Sequence, residues 1–191
     1  MNIYDWLILI IWIVFMVYWA ISAASAKPNI DPQKRWWTRV VSRVIAALLV
    51  IIVARIPDVQ QGLQIAQAYS PRGMPVRLIG VVLCALGIGL AIWARVILGR
   101  NWGMPMSRKE QPELITTGPY GFIRHPIYTG VLAGFLGSAL STSIGFFLAF
   151  IVFGVYFVHS ARQEEKLKRQ EFPEQYRAYM ERTKMLVPFV V

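Results

Sequence analysis

From Ile3 to Ala24 the chain carries a single charged side chain, Asp5, in a run long enough to cross a bilayer. A spanning helix needs about 20 predominantly apolar residues. Val76 to Leu98 is a second run of that kind, and Val40 to Ile56 is a shorter one. Two more, Ile127 to Leu140 and Ile144 to Ser160, flank the polar turn Ser141, Thr142, Ser143. With 56% hydrophobic residues and a mean hydropathy of +0.48, the composition is not that of an ordinary soluble domain. The chain reads as an all-α integral membrane protein of about five transmembrane helices.

Two of the runs admit a second reading. The first is followed by "SAASA", which suits signal cleavage, but no charged segment precedes it and it exceeds the usual length of a signal core. It reads as a retained anchor. The Ile127 to Leu140 run reaches only about 21 Å as a helix, short of a hydrocarbon core about 30 Å thick. It either spans with its partner run or forms a re-entrant hairpin with it, and the tail emerges on the same side in both cases.

Charge sets the expected orientation, because cytoplasmic loops collect Lys and Arg. Lys27, Lys34, Arg35, Arg39 and Arg43 flank the first loop, and Arg100, Arg108, Lys109 and Arg124 flank the third. The tail adds Arg162, Lys166, Lys168, Arg169, Arg177, Arg182 and Lys184. The other face has Arg72 and Arg77 and an uncharged turn. The expectation is an N-terminus outside and a cytoplasmic tail, in a bacterial or archaeal inner membrane. The net charge of +10 then serves anionic lipid headgroups, with no nucleic-acid motif to suggest another partner.

Several features favour packing over chemistry. A lone Cys84 rules out an intramolecular disulfide and a multi-cysteine metal site, and no metal is expected. Gly130, Gly134 and Ser138 recur at four-residue spacing and permit close helix approach. Gly87 and Gly89 follow no strand and do not complete a dinucleotide fingerprint. Asp58 to Ser70 mixes apolar residues with glutamines and suits a helix lying at the outer interface. The chain divides into residues 1–75, membrane helices with that outer segment, and residues 76–191, where the chemistry is expected.

The densest polar stretch is "GPYGFIRHPIYTG", Gly118 to Gly130, which holds one of the chain's two histidines. Each proline biases the residue before it away from helix, and Pro126 suits the first position of a helix. Arg124 and His125 are thus expected on an ordered turn at a helix N-terminus, where free N–H groups and a full charge favour an anion. The plainer account is lipid anchoring by Arg124 and Lys109, with His125 in a turn. The tail then supplies Glu164 and Glu165 close to the membrane surface, paired four residues on with Lys168 and Arg169. Phe172, Tyr176 and Tyr179 form an aromatic stripe that either covers a pocket or lies on the interface.

The ordered series "LGRNW" (Leu98 to Trp102), "GPYGFIRHPIYTG", "EEKL" (Glu164 to Leu167) and "FPEQYRAYMERTKMLVP" (Phe172 to Pro188) resembles the isoprenylcysteine carboxyl methyltransferase family and its phospholipid methyltransferase relatives. The resemblance covers roughly the C-terminal half. It implies a cytoplasmic pocket for S-adenosylmethionine lined by Tyr120, Arg124, His125, Pro126 and Tyr128 and completed from the helical tail by Glu164 and Glu165. Arg124, His125 and Glu164 are the candidate catalytic residues. Ser160 departs from the pattern, because carboxyl-methylating members carry an arginine there that resembles a clamp for the substrate carboxylate.

Methyl transfer from a sulfonium is an in-line displacement that needs positioning and shielding from water, not a metal or a covalent nucleophile. An amine or thiol acceptor must first lose a proton, to His125, His159 or a glutamate. The implied function is a membrane methyltransferase acting on a lipophilic or small acceptor: a prenylcysteine-type carboxylate, a phospholipid amine or a thiol. Membrane lipids are the expected surroundings. The alternatives are an NADPH-dependent reductase of sterol-reductase-like architecture and a non-enzymatic membrane protein.

Overall fold

The computed structural model describes residues 2–23, 61, 73–102 and 113–187. Its helices are α1 (Ile3–Ala23), α2 (Met74–Leu98), α3 (Pro126–Ser141), α4 (Gly145–Glu171) and α5 (Pro173–Arg182), with 3-10 turns at Gly99–Asn101 and Gly118–Gly121. Among the described residues, α1, α2 and α4 are long and apolar enough to cross a membrane. Helices suit that setting because their backbone groups are satisfied internally where no water can do so. The apolar α3 is shorter, at 16 residues. Together these are four of the five runs read from the sequence. The remaining run, Val40 to Ile56, lies outside the described residues, as does Asp58 to Ser70 apart from Gln61.

α1 and α2 run parallel. At their N-terminal ends the Arg77 guanidinium lies 6.0 Å from the centre of the Tyr4 ring. At their C-terminal ends Arg95, only 2% exposed, donates through Nη2 to the Ser22 carbonyl and through Nη1 to the Gly99 carbonyl at 2.7 Å. The Trp102 ring lies 4.7 Å from the same guanidinium. A buried cation is thereby held by carbonyls at helix C-termini, where the partial charge is negative. Gly99, at φ 51°, closes α2 in the left-handed region that favours glycine.

α2 and α3 run antiparallel with their backbones nearly in contact. A Cβ at Gly87 would lie 2.6 Å from the Gly130 carbonyl oxygen and 2.7 Å from the Ala133 Cβ. One at Gly80 would lie 2.6 Å from both the Gly137 carbonyl oxygen and the Ser141 nitrogen. The small-residue spacing at Gly130, Gly134 and Ser138 therefore serves this seam, as does Gly87. Buried Cys84 is also a packing residue, with its Sγ 3.6 Å from the Ser138 Oγ. Trp12 Nε1 donates to the same Oγ at 3.0 Å and draws α1 onto the pair.

α4 returns antiparallel to α3, joined to it by ring stacks: Phe135 on Phe153 at 5.0 Å and Tyr128 on Phe157 at 4.4 Å. It continues unbroken to Glu171. Pro173 then takes the first position of α5, and Phe172 leaves helical geometry at φ −135°, ψ 64°. The C-terminal ends of α1, α2 and α4 and the N-terminal end of α3 consequently share one end of the bundle.

The seam makes a sharp prediction. Gly87→Ala forces the two backbones apart and is expected to cost about 1–3 kcal/mol. Gly89→Ala, whose Cβ would meet nothing within 4 Å, should melt like the parent. Thermal unfolding of both variants in the same detergent checks the contrast, and equal melting temperatures would refute the seam.

Candidate functional site

The site is built where the chain enters α3. The 3-10 turn Gly118–Gly121 is followed by Ile123, which forms a parallel bridge with Lys184. Around it the Arg124 amide donates to the Lys184 carbonyl at 2.8 Å, the His125 amide to the Met185 carbonyl at 3.1 Å and the Lys184 amide to the Phe122 carbonyl at 3.3 Å. Thr129 Oγ1 adds a bond of 2.5 Å to the Leu186 carbonyl. Residues 183–187 thus act as a strap along the loop. Pro126 opens α3 at its first position, with His125 as the preceding residue at φ −125°, ψ 59°.

α5 carries the strap into place. Tyr176 and Tyr179 are each 3% exposed, so the aromatic stripe faces inward at those two positions. Tyr179 donates its hydroxyl to the Tyr120 carbonyl at 2.6 Å, and Thr183 Oγ1 donates to the Tyr179 carbonyl at 2.6 Å. Burial pushes the Tyr179 phenol up to about 12, and burial raises those of Tyr120 and Tyr176 further.

On this frame Arg124 donates through Nε to Glu165 Oε1 at 2.7 Å and through Nη1 to the Thr183 carbonyl. The His125 ring lies between the two carboxylates, with Nδ1 3.6 Å from Glu164 Oε2 and Nε2 3.5 Å from Glu165 Oε1. Its Nε2 is buried and makes no hydrogen bond among the described residues. Tyr128 donates its hydroxyl to Glu164 Oε1 at 2.5 Å. Its ring is stacked between His125, at 5.5 Å and 3°, and Phe157, at 4.4 Å and 6°.

The two glutamates are not equivalent. Adjacent residues of a helix point about 100° apart, so the pair addresses two different faces of α4. Glu165 is 6% exposed and held by Arg124, with Arg169 Nη2 at 3.7 Å. Glu164, which contacts His125 and Tyr128, keeps 27% of its side chain exposed. Lys168, four residues after Glu164, pairs with Glu171 at 3.1 Å.

Of the residues singled out from the sequence, Arg124, His125, Tyr128, Glu164 and Glu165 form one cluster. Pro126 lies fully buried at the start of α3. Tyr120 is buried on the α5 side of the loop, its carbonyl bound by Tyr179. Ser160 is fully buried one turn before Glu164, and its hydroxyl has no hydrogen-bond partner among the described residues. Sequence reasoning missed Thr129 and Thr183 and the inward hydrogen bond of Tyr179. Thr183 matters mainly through its backbone carbonyl, which no residue type announces.

A model of the phospholipid methyltransferase family matches residues 76–175, more than half of the chain. The chain belongs to that family. Curated relatives include a protein-S-isoprenylcysteine O-methyltransferase B from Arabidopsis thaliana, 31% identical over 115 residues, or 58% of each chain. The nickel-cobalt-cadmium resistance protein NccN of Alcaligenes xylosoxydans xylosoxydans is 31% identical over 54% of this chain and 49% of its own. The cobalt-zinc-cadmium resistance protein CzcN of Cupriavidus metallidurans is 31% identical over 56% and 49%. The chain therefore spans about half the length of the curated relatives it matches. Among solved structures, a eukaryotic intramembrane Ras methyltransferase, an isoprenylcysteine carboxyl methyltransferase, shares the fold. Its TM-score is 0.55 at 20% identity, over 84% of this chain and 55% of that one. The relationship to the isoprenylcysteine carboxyl methyltransferases implied by the motifs is thereby shown.

The buried phenols give the tail a pH limit. The docked state holds the Tyr179 proton to about 12, against an ordinary value near 10, so this contribution to docking is complete below about pH 10 and lost as pH rises toward 12. Ultraviolet titration is expected to show a late tyrosinate step accompanied by release of the tail, and Tyr179→Phe should remove part of that step. Titration of every tyrosine near pH 10 in the intact protein would contradict the buried arrangement.

Proposed function

We propose that the chain is a membrane-embedded, S-adenosylmethionine-dependent methyltransferase whose donor pocket is formed by His125, Tyr128 and Glu164, backed by Arg124 and Glu165. The observation that carries this reading is the convergence of two carboxylates on one histidine at the end of the bundle, within a member of this family. The residues fit the donor's chemistry. A sulfonium and an ammonium are cations, suited to the partly exposed Glu164 carboxylate and to the aromatic faces of Tyr128 and His125. His125 Nε2 is buried against Glu165 Oε1 at 3.5 Å, which holds the ring beside Glu164. When bound, the donor supplies a methyl group on sulfur that a nucleophile displaces in line.

The protein's own part is positioning. Arg124 bonds to Glu165 and to the strap, which fixes the turn holding His125. Tyr128 bonds to Glu164 and sets the orientation of that carboxylate. Phe157 closes the column of rings toward the membrane and excludes water from that side. Tyr120 and Pro126, both buried, support the loop. In this reading His125 or Glu164 takes the proton from an amine or thiol acceptor. The acceptor is lipophilic or small, because the site lies at the end of apolar helices. The site end carries most of the charge on α2 to α5, which favours a cytoplasmic location for it and for the tail. Residues 76–191 form the catalytic region in this reading.

Calorimetric titration of S-adenosylhomocysteine, S-adenosylmethionine and NADPH into the detergent-purified protein tests the proposal. Micromolar affinity for the first two is expected, with none for NADPH. Glu164→Gln and His125→Ala should each weaken donor binding by about ten- to a hundredfold, the loss expected for a charge-assisted hydrogen bond. Unchanged affinity in both variants would remove the site assignment, and NADPH binding alone would assign the fold to a different chemistry.

A further inference from the structure

The face of α4 that Glu165 addresses carries more than that one carboxylate. Arg162, Glu165 and Arg169 follow one another at i, i+3 and i+7 and so share a side of the helix. With Arg124, Thr183 and Lys184 they line an open cleft of about 430 Å³ between α4 and the strap. Four cationic residues and one carboxylate meet there. Glu165 is already held by Arg124 through Oε1, with Arg169 Nη2 3.7 Å from Oε2. Arg162 is exposed and pairs with no carboxylate among the described residues. The cleft keeps surplus positive charge on guanidinium groups, whose planar fork matches a carboxylate.

Across His125 the balance is reversed. Glu164 supplies the negative charge there, and His125 and Tyr128 add aromatic faces. That set suits a sulfonium and an ammonium and leaves a carboxylate without a cationic partner, which is unfavourable away from water. Other cations nearby are committed: Arg124 to Glu165 and the Thr183 carbonyl, Lys168 to Glu171 and Arg177 to Glu181. S-adenosylmethionine carries one carboxylate, joined to its sulfur through a three-carbon chain with a reach of about 5 Å at about 1.5 Å per bond. Glu164 and Glu165 are neighbours on α4 and flank the same imidazole, so one side chain separates the pocket from the cleft.

We infer that the cleft receives the carboxylate of the methyl donor's amino-acid end, with Arg162 and Arg169 as its binding residues, and that the cationic groups of the donor lie on the Glu164 side. The inference rests on the methyltransferase reading and adds to it two residues and a direction for the donor across His125. Each charge of the ligand then meets its opposite. A molecule held at both ends has its sulfur fixed between them, and alignment of the reacting atoms is what methyl transfer needs. The arginines also give the site a way to reject sulfur-bearing nucleosides that lack a carboxylate, because such ligands leave the cationic cleft unpaired.

The test is calorimetry on the detergent-purified full chain with S-adenosylhomocysteine and S-adenosyl-3-thiopropylamine, the same molecule without its carboxylate. The unaltered protein is expected to bind the first about ten- to a hundredfold more tightly, as a charge-assisted hydrogen bond would give. Arg162→Gln/Arg169→Gln should remove that advantage: S-adenosylhomocysteine weakens by about the same factor, and the carboxylate-free probe stays within about twofold. Arg162→Lys/Arg169→Lys should restore part of the difference, because charge returns without the bidentate fork. Equal affinity of the two probes for the unaltered protein overturns the inference, and so does a preference for the carboxylate that survives in the Gln pair. A parallel loss of both probes in the Gln pair overturns it too, by giving the arginines a structural role. Both side chains are exposed, and the single variants Arg162→Gln and Arg169→Gln carry the same comparison if the pair does not fold. Failure of both probes to bind the unaltered protein sinks the methyltransferase reading and this assignment together, whereas binding of both without discrimination leaves that reading standing and removes only this one.

Discussion

The backbone contact between α2 and α3 is the constraint on which the site depends. Lipid tails are as apolar as the helices, so burying leucine against leucine gives little preference for one helix pairing over another. Close approach does, because it adds dispersion contacts and weak Cα–H to carbonyl bonds that a side chain would prevent. Gly80 and Gly87 on one helix meet Gly137 and Gly130 on the other, in antiparallel register. That register places His125 and Pro126 beside the C-terminal end of α2, where Arg95 ties α1 into the same end. A shift of one turn would move the entry to α3 by about 5.4 Å and take His125 out of reach of the glutamates.

The polar layer above this seam is a set of nested restraints on one turn of chain. Backbone groups of residues 122–125 pair with the strap at residues 184 and 185, and Thr129 pairs with Leu186. The strap is held in turn by Tyr179 and Thr183. Arg124 crosses between the two with its guanidinium on Glu165 and on the Thr183 carbonyl. A charged side chain near hydrocarbon is costly unless paired, and here each polar partner also serves to place another. Rigidity of this kind suits methyl transfer, in which alignment of reacting atoms supplies much of the rate.

The placement of two acidic residues in succession on a helix leaving the membrane divides the labour around it. Glu164 faces the His125 and Tyr128 column, which continues through Phe157 into the apolar core. Glu165 faces Arg124 and Arg169. One helix thus sets two carboxylates on different faces, with His125 reaching both.

The sequence alone determined the elements. Apolar runs of fixed length in a bilayer have no alternative to helix, so α1, α2 and α4 were legible from hydropathy, and Pro126 marked where α3 begins, whereas the break between α4 and α5 at Phe172 was not read from the sequence. The family motifs named Arg124, His125, Tyr128, Glu164 and Glu165 because specific side-chain chemistry leaves a trace in residue type. Tertiary structure decided which glycines form a seam, turned Tyr176 and Tyr179 inward and supplied the strap. It also set the two glutamates to different tasks. Those outcomes rest on carbonyl positions, backbone separations and helix rotation, which depend on elements far apart in the chain and leave no local pattern to read.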